Sequence, residues 1–290
     1  MVALWSLLLP LISLAGLINA KSSSGDSVLV VLEPNLQKED YSIFFTSLTG
    51  VHADFCYTIY ANGNVERGYD LTFRESKDLT PLIIEDDIPS FAHVVLFAPE
   101  SKSAPTDLIE IIATEFVLSG YTPDITPQSL VTLLSSKTNL LLVLGPKQTI
   151  LTSLASEFSL ILPPPGTPLI SHFPERDTPA SVIPIDVPSH PILTSGTPPI
   201  WFSGVSHALG NNPQLFPILH APAESFAADS TDDSNADSVV DSAERGGEGS
   251  WAGSSMAVVS GFQTRDGARV AWVGSLELFS NAFARKELSK

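Results

Sequence analysis

Short apolar runs alternate along the chain with segments in which apolar residues recur at helical spacing. The first run, Ser27–Glu33, is rich in β-branched residues and stops at Pro34, a pattern typical of a buried strand. The following segment, Glu39–Thr49, has helical periodicity, so the chain is predicted to begin with a strand and then a helix. Further strands are predicted at Tyr69–Phe73, His93–Pro99 and Asn139–Gly145.

The clearest helix start is the sequence TPQSLVTLLSSK. Thr126 suits the N-cap position and Pro127 suits the first helical position, because proline lacks the amide hydrogen that a first turn leaves unpaired. A second short helix is predicted at Thr149–Phe158, and a strand at Leu160–Pro163 follows it. Buried strands that alternate with helices predict an α/β fold with a mostly parallel sheet and helices on both faces.

A hairpin is predicted near the carboxyl terminus. Pro163–Pro199 is dense in proline and predicts loops or short edge strands, before a strand at Ile200–Val205. The hairpin has one strand near Met256–Phe262, a turn at Asp266-Gly267, and a second strand that reaches Gly274.

Composition and charge narrow the possible functions. Hydrophobic residues make up 43% of the 290 residues and charged residues 16%, which indicates a mostly globular chain. The net charge of −17 argues against nucleic-acid binding, because phosphate contacts need a basic surface. Seven carboxylates and one arginine fall between Asp229 and Glu248, and we interpret 227–250 as an acidic, flexible loop.

The amino terminus has the pattern of a secretory signal. It is apolar from Val2 to Ile18 and turns polar at Lys21, and Ala20 is small enough to precede a cleavage site. We predict a signal peptide at residues 1–20, which places the mature chain in the secretory pathway, with an uncleaved anchor as the alternative. No later stretch reaches the ~18 apolar residues that cross a bilayer.

Two residues are candidate nucleophiles. Ser275 follows the strand that ends at Gly274, as in a nucleophile elbow, but the G-x-S-x-G pattern fails at Glu277. A serine that caps a helical turn explains the same residues. Cys56, the single cysteine, also lacks flanking glycines. An amidotransferase or hydrolase that uses Ser275 or Cys56 stays open as the alternative to a non-enzymatic protein.

Evidence for a metal or cofactor is weak. Part of the acidic loop matches a calcium-binding loop, but Ser238 stands where such a loop requires glycine. The six histidines show no metalloprotease spacing, and no Walker loop or dinucleotide-binding turn is present. We therefore predict no catalytic residue, no cofactor and no metal site, with a calcium-dependent binding protein as a third possibility. The matching loop positions are Asp233, Asn235, Asp237, Asp241 and Glu244.

Several segments together resemble one family. They include VLVVLEPNLQKEDYSIFFTSL, FAHVVLFAP, NLLLVLGP, PILHAPAESF and, most specifically, GARVAWVGSLELFSNAF. In order and spacing they are similar to the forty-eight-kilodalton subunit of oligosaccharyltransferase, the endoplasmic-reticulum complex that transfers dolichol-linked glycan to asparagine. The resemblance covers residues 27–287, apart from two interruptions.

The resemblance implies a fold, a role and a location. The fold is a luminal α/β domain like class I glutamine amidotransferases, catalytically silent because their Cys/His pair is missing. The role is that of a non-catalytic scaffold in protein N-glycosylation, with the other subunits of the complex as partners, on the luminal side of the endoplasmic-reticulum membrane. The family continues with a β-domain and a membrane helix, and we expect both to be absent from this chain. Membrane association would then come through partners or through the missing helix.

The two interruptions of the family pattern are residues 50–66 and 106–123. Removing the first joins FFTSLT directly to RGYDLTF, and removing the second joins APESKSAP to DITPQSLV. Short connections of this kind are typical of compact α/β units. Our hypothesis is that both are retained intervening sequence in the gene model. The alternative is that the run LIEIIATEFVL in the second interruption forms a genuine extra helix.

Overall fold

The structure is a computed structural model, and it describes residues 24–50, 68–97, 122, 124–147, 149–171, 180–187, 198–227 and 253–286. The predicted signal peptide (1–20), the two interruptions (50–66 and 106–123) and the acidic loop (227–250) lie outside these ranges. Of these segments, only the residues Gly50, Thr122 and Ala227 fall within the described ranges.

Strands dominate the described part of the chain. The strands are β1 (Ser27–Leu32), β2 (Asp70–Glu75), β3 (Ile84–Glu85), β4 (Ile88–Pro89), β5 (His93–Leu96), β6 (Asn139–Val143), β7 (Leu160–Ile161), β8 (Leu169–Ser171), β9 (Ile183–Ile185), β10 (Ile200–Phe202), β11 (Ala208–Leu209), β12 (Leu215–His220), β13 (Ser225–Ala227), β14 (Ala257–Gln263) and β15 (Arg269–Val273). The α-helices are α1 (Ser42–Thr49), α2 (Pro127–Ser135), α3 (Ile150–Glu157) and α4 (Asn281–Ala284), and 3₁₀ turns form at Lys38–Tyr41, Gly253–Ser255 and Glu277–Phe279.

Seven strands form one large sheet in the spatial order β12-β14-β15-β6-β5-β1-β2. Five neighbours, β2, β1, β5, β6 and β15, run parallel to one another. β14 pairs antiparallel with both β15 and β12. The sheet is therefore mixed but mostly parallel, which confirms the α/β prediction in its coarse form. The predicted hairpin is also confirmed as β14 and β15, with Gly267 at its turn at a φ of 95°.

Apolar cores cover both faces of the large sheet. In β1 every residue from Val28 to Leu32 is buried, because a central parallel strand has no solvent-facing side. Alternate residues point to opposite faces, so Leu29 belongs to one core and Val30 to the other. Helices α2 and α3 pack on the first face, and α1 packs on the second.

The helix boundaries follow from capping. The Thr126 hydroxyl accepts a hydrogen bond from the Ser129 amide at 3.1 Å, and Pro127 is the first residue of α2, as predicted. Thr149 caps α3 in the same way, through the amide of Leu151. The first predicted helix is longer than the observed α1, because its amino-terminal turn adopts the 3₁₀ form at Lys38–Tyr41.

Two predicted strands differ from the structure, and one observed strand was not predicted. The predicted strand Leu160–Pro163 is only the two-residue β7, which pairs antiparallel with β11 outside the large sheet. The strand predicted at Ile200–Val205 is the shorter β10, and it pairs with β9 rather than joining the large sheet. β12 was not predicted, because Pro217 interrupts its pattern; a proline is tolerated there since β12 is an edge strand.

Candidate functional site

The carboxyl ends of the five parallel strands meet at one rim of the large sheet. In open α/β sheets this is the rim where ligands bind. The residues that follow the strands there include Glu33 after β1, Ser76 after β2, Leu144 after β6, and Ser275 shortly after β15. We name this rim the carboxyl edge.

Ser275 lies at the carboxyl edge as a buried cap. Its side chain is 2% exposed, and its Oγ donates to the carbonyl oxygen of Ser203 at 2.5 Å. The same Oγ accepts a hydrogen bond from the amide of Leu278 at 3.3 Å, in the 3₁₀ turn Glu277–Phe279. The hydroxyl is therefore bonded to backbone groups, and this geometry matches the capping interpretation of the strand-to-turn corner.

The glycine before Ser275 is required by close backbone packing. Two chain segments cross here, because the Val205 amide donates to the Gly274 carbonyl oxygen at 2.8 Å. A Cβ atom on Gly274 would overlap the carbonyl oxygen of Val205, and one on Gly204 would overlap the carbonyl oxygen of Gly274. The Gly274-Ser275 pair thus reflects a backbone crossing rather than the strained turn of a nucleophile elbow.

A buried ion pair is the main electrostatic feature of the carboxyl edge. Near the end of β2, the Arg74 side chain is 0% exposed and contacts the Asp124 carboxylate at 2.7 Å. The Arg74 guanidinium also donates to the Pro81 carbonyl oxygen at 2.7 Å and to the Thr122 hydroxyl at 3.2 Å. Sequence reasoning missed this network, because its members are up to 50 residues apart. The ion pair links β2 to the segment that leads into α2.

A hairpin lies in the connection that leaves the carboxyl edge after β2, passes this ion pair and returns to the start of β5. The connection from β2 to β5, Ser76–Ser90, contains β3 and β4, and we name it the edge hairpin. Three of its large apolar side chains are exposed: Leu79 by 56%, Leu82 by 39% and Ile88 by 68%. Its carboxylates and its one lysine, described below, are exposed as well. The edge hairpin therefore combines exposed apolar and acidic groups.

His207 forms a buried pair that no sequence motif indicated. Its Nε2 lies 2.8 Å from the Oγ of Ser260 on β14, and both residues are 0% exposed. Burial lowers the pKa of His207 to about 4, so the ring is neutral at neutral pH. The two residues are 53 positions apart, so neither spacing nor periodicity brings them together. Because both side chains are inaccessible, the pair acts as an internal hydrogen bond.

The other described histidines contact backbone or neighbouring polar groups. His93 opens β5, as predicted, and its ring lies 3.1 Å from the Gly25 carbonyl oxygen and 3.1 Å from the Nδ2 of the Asn139 side chain. Desolvation lowers its pKa. His220 contacts the Ser254 carbonyl oxygen at 2.8 Å. The remaining histidines, His52, His172 and His190, lie outside the described residues.

A second exposed apolar surface lies on the edge strand β12. Phe216 is 49% exposed and Ile218 is 42% exposed. Both cover Gly261 on β14: a Cβ atom there would be 2.7 Å from the Phe216 ring and 3.2 Å from Ile218. Gly261 thus leaves room for two large side chains to lie across the end of the sheet.

The remaining sequence candidates lie outside the described residues. They are Cys56 and the calcium-loop positions Asp233, Asn235, Asp237, Asp241 and Glu244. Within the described ranges, no group of three histidine, cysteine or carboxylate side chains is arranged to hold a metal ion. No helix in the described part of the chain has the length and apolar character needed to span a membrane.

Three solved structures align with most of the chain at low identity. The mmIFT52 N-terminal domain aligns with 89% of this chain and 93% of its own, with a TM-score of 0.48 and 12% identity. PurLQS from Thermotoga maritima aligns with 86% and 85%, at a TM-score of 0.32 and 11% identity. A ThuA-like protein from Parabacteroides merdae aligns with 91% of this chain and 91% of its own, with a TM-score of 0.34 and 9% identity. At these scores none of the three assigns a function or a finer fold class.

Curated relatives give a more specific result. The chain is 25% identical over 284 residues to the dolichyl-diphosphooligosaccharide–protein glycosyltransferase 48 kDa subunit of Caenorhabditis elegans, covering 95% of this chain and 55% of that one. It is 22% identical over 234 residues to the dolichyl-diphosphooligosaccharide–protein glycosyltransferase subunit wbp1 of Schizosaccharomyces pombe, and the alignment covers 78% of this chain and 47% of that one. The chain thus spans about half the length of these relatives.

The family comparison covers nearly the whole sequence. The model of the OST48 N-terminal domain matches residues 19–290, which include every described strand and helix. The segments on which the resemblance rests, from β1 to the Gly274-Ser275 corner, all lie in that match. The chain therefore belongs to the OST48 N-terminal domain family.

Proposed function

We propose that this chain is a non-catalytic scaffold of the oligosaccharyltransferase complex, which transfers dolichol-linked glycan to asparagine in protein N-glycosylation. The family match over residues 19–290 carries this proposal, supported by two relatives named as subunits of that glycosyltransferase. Because the chain spans about half of each relative, the proposal concerns the part that it shares with them. Its partners are the other subunits of the complex.

The geometry of the carboxyl edge supports a scaffold role over hydrolytic chemistry. The Ser275 hydroxyl is bonded to a carbonyl oxygen and an amide, where a nucleophile would need a neighbouring base. His207 is paired with Ser260 in the interior. We therefore infer a catalytically silent fold of the class I glutamine-amidotransferase kind, in which surfaces rather than reactive side chains carry the function.

The location follows from the same proposal. The apolar amino terminus supports a signal peptide at residues 1–20 and entry into the endoplasmic reticulum. The domain would then lie on the luminal side of the membrane. Its net charge of −17 gives no attraction to anionic lipid, so membrane association would depend on partner subunits or on the family's carboxyl-terminal helix.

The contacts beside the two interruptions bear on their origin. The Tyr69 amide donates to the Leu48 carbonyl oxygen at 3.1 Å, so the chain leaves and re-enters the fold at one place around residues 51–67. This closure supports an excisable segment. Thr122, near the end of the second interruption (106–123), accepts a hydrogen bond from Arg74 at 3.2 Å, so removing the whole segment would take this one contact from the Arg74 network. We propose that both interruptions are retained intervening sequence. Transcript reads that run continuously through either segment in mature message would contradict this proposal.

Affinity purification from microsomes tests the scaffold proposal. The full chain with a carboxyl-terminal tag is expected to recover the other subunits of the complex, and Ser275→Ala is expected to recover them equally well. Ser254→Ala, at an exposed serine, is the matched control for the substitution itself. The proposal is wrong if the chain recovers none of these subunits. A hydrolytic activity that Ser275→Ala abolishes would instead favour an enzyme.

A further inference from the structure

The edge hairpin holds its exposed apolar side chains on a short, regular support. Leu79, Leu82 and Ile88 lie within ten residues of one another, and all three are large and exposed. Single exposed apolar residues are common on protein surfaces, whereas several on one short element indicate a site of association. The turn between β3 and β4 is tight. Asp86 and Asp87 have φ values of 49° and 64°, and two successive positive φ values are typical of the type I′ turn that closes a two-residue hairpin.

Buried groups fix the edge hairpin against the body of the domain. The Arg74 guanidinium holds the Pro81 carbonyl oxygen at 2.7 Å, next to the exposed Leu82. Ile83, which follows, is 0% exposed and packs in the first core. The Ser90 amide returns to the Ile83 carbonyl oxygen at 3.1 Å and closes the base of the hairpin. Its apolar side chains are therefore displayed on a fixed backbone, which lowers the entropy lost on binding.

The charge of the edge hairpin indicates what kind of surface it fits. Four exposed carboxylates and one exposed lysine lie within Ser76–Ser90, so the net charge is −4 + 1 = −3. Glu85 and Ile88 are paired across the hairpin, so apolar and acidic groups lie side by side. A complementary surface has an apolar recess with lysine or arginine at its rim. The carboxylates are Asp78, Glu85, Asp86 and Asp87.

We propose that the edge hairpin is a docking element for a protein partner that presents an apolar recess bordered by basic side chains. Ile88, which lies beside Glu85 on the hairpin, enters the recess, and the carboxylates at the hairpin turn pair with the basic rim. The inference rests on the proposed function in one respect: the partner is sought among the proteins of the oligosaccharyltransferase complex. The Arg74–Asp124 ion pair positions the hairpin and makes no contact with the partner itself.

The charge of the edge hairpin favours a basic-rimmed protein partner over two other possible partners, a second copy of the chain and an anionic lipid surface. A second copy of the chain would bring an equally acidic hairpin and another −17 of charge to the interface, so like charges oppose self-association. An anionic lipid surface repels the same carboxylates. A basic-rimmed protein surface gains from them, and its association with the hairpin weakens as salt screens the pairs.

Photo-crosslinking in microsomes tests the proposal on the full chain. A benzophenone amino acid replaces Ile88, and the same amino acid replaces Val131 on α2 as the matched control, since Val131 is 46% exposed and distant in sequence. Irradiation is expected to give one discrete protein adduct from position 88 and none from position 131. The triple change Glu85→Gln, Asp86→Asn and Asp87→Asn keeps residues that tolerate the turn and is expected to reduce the adduct about tenfold.

Each outcome of this experiment decides the proposal. It is overturned if position 88 gives no adduct, if the adduct survives removal of the three charges, or if its mass is that of a second copy of the chain or of a lipid. A charge-sensitive adduct supports the docking element whichever protein it contains. An adduct that antibodies identify as an oligosaccharyltransferase subunit supports the proposed function too, whereas a charge-sensitive adduct to an unrelated protein counts against the proposed function alone. Protease resistance of each variant verifies that it is folded.

Discussion

The Val205 amide donates a hydrogen bond to the Gly274 carbonyl oxygen at 2.8 Å, and the Gly274 Cα lies against the Val205 carbonyl group. The loop after β10 and the end of β15 are thereby in direct backbone contact. The Gly274 amide also donates to the Val258 carbonyl oxygen at 2.9 Å, which ties β14 into the same crossing. Both strands of the β14–β15 hairpin and the loop after β10, which is distant in sequence, meet at this glycine.

Gly274→Ala is therefore expected to be severely destabilising. The added methyl group meets a carbonyl oxygen that cannot move without breaking the crossing, and we expect a loss of at least about 3 kcal/mol of unfolding free energy. Gly145→Ala is the matched control, because a Cβ there meets nothing within 4 Å, and we expect a change under about 1 kcal/mol. Urea denaturation followed by circular dichroism measures both. Equal stability of the two variants would contradict the described crossing.

The Arg74–Asp124 pair gives a prediction about buried charge. Asp124→Ala leaves the fully buried Arg74 guanidinium without its carboxylate, and we expect a loss of about 3–5 kcal/mol in unfolding free energy. Adding Arg74→Met to that variant removes the unpaired charge and is expected to restore part of the loss. The measurement is a double-mutant cycle by urea denaturation. Additive losses in the double variant would show that the two residues do not interact.

Acid is expected to destabilise the domain partly through His207. Its pKa is about 4 in the folded state and about 6.5 when unfolded, so the unfolded chain binds more protons between these values. This contribution is complete above about pH 6.5 and is lost as the pH falls towards 4, amounting to about 3 kcal/mol.

The variant His207→Gln separates this contribution from that of other titrating groups. We expect the unfolding free energy of the wild type minus that of the variant to fall between pH 7 and pH 4, as measured by urea denaturation at each pH. A difference that stays constant over this range would mean that His207 keeps an ordinary pKa in the folded protein.

Ser275→Ala is expected to lower stability modestly. The change removes an acceptor for the Leu278 amide and a donor to the Ser203 carbonyl oxygen, which together contribute about 1–2 kcal/mol. Thermal unfolding measures the loss, and the exposed Ser254→Ala is expected to leave the melting temperature unchanged. A Ser275→Ala variant as stable as the wild type would contradict the capping role.

Deletion of residues 51–67 is expected to leave the fold intact. Leu48 and Tyr69 are already hydrogen-bonded, and Gly50 and Gly68 both adopt positive φ, so a Gly-Gly junction can make the turn between α1 and β2. A shorter loop costs less closure entropy, so the deleted chain is expected to be at least as stable as the full chain. Thermal unfolding of the two chains makes the comparison. Loss of cooperative unfolding would show that the segment contributes to the fold.

The central strands and the helix starts were predictable because their signals are local. The run Val28–Leu32 is buried on both faces, so its apolar character is continuous and needs no knowledge of its neighbours. Thr126 and Pro127 satisfy the requirements of a helix start within four residues. β12 was missed because Pro217 has no amide hydrogen to donate to a neighbouring strand. An outermost strand tolerates this on its open side, and the sequence does not reveal which strand is outermost.

The features of the candidate site depend on distant residues. Arg74 and Asp124 become partners through the parallel pairing of β2 with β1 and the return of the chain into α2. His207 and Ser260 meet because an isolated bridge joins His207 to Ala257, the first residue of β14. The exposed side chains of the edge hairpin have ordinary sequence surroundings, and only the fold shows that Leu82 is outside while Ile83 is inside.

The position of β15 has a consequence for biosynthesis. It is the last strand along the described chain, yet it lies between β14 and β6 in the interior of the sheet. The side chain of Asn281, still later, accepts a hydrogen bond from the Ile43 amide at 3.0 Å at the start of α1. During translation, the side of β6 that pairs with β15 stays unpaired until Arg269–Val273 have emerged, so we expect chaperones to cover this edge of the nascent domain until β15 is available.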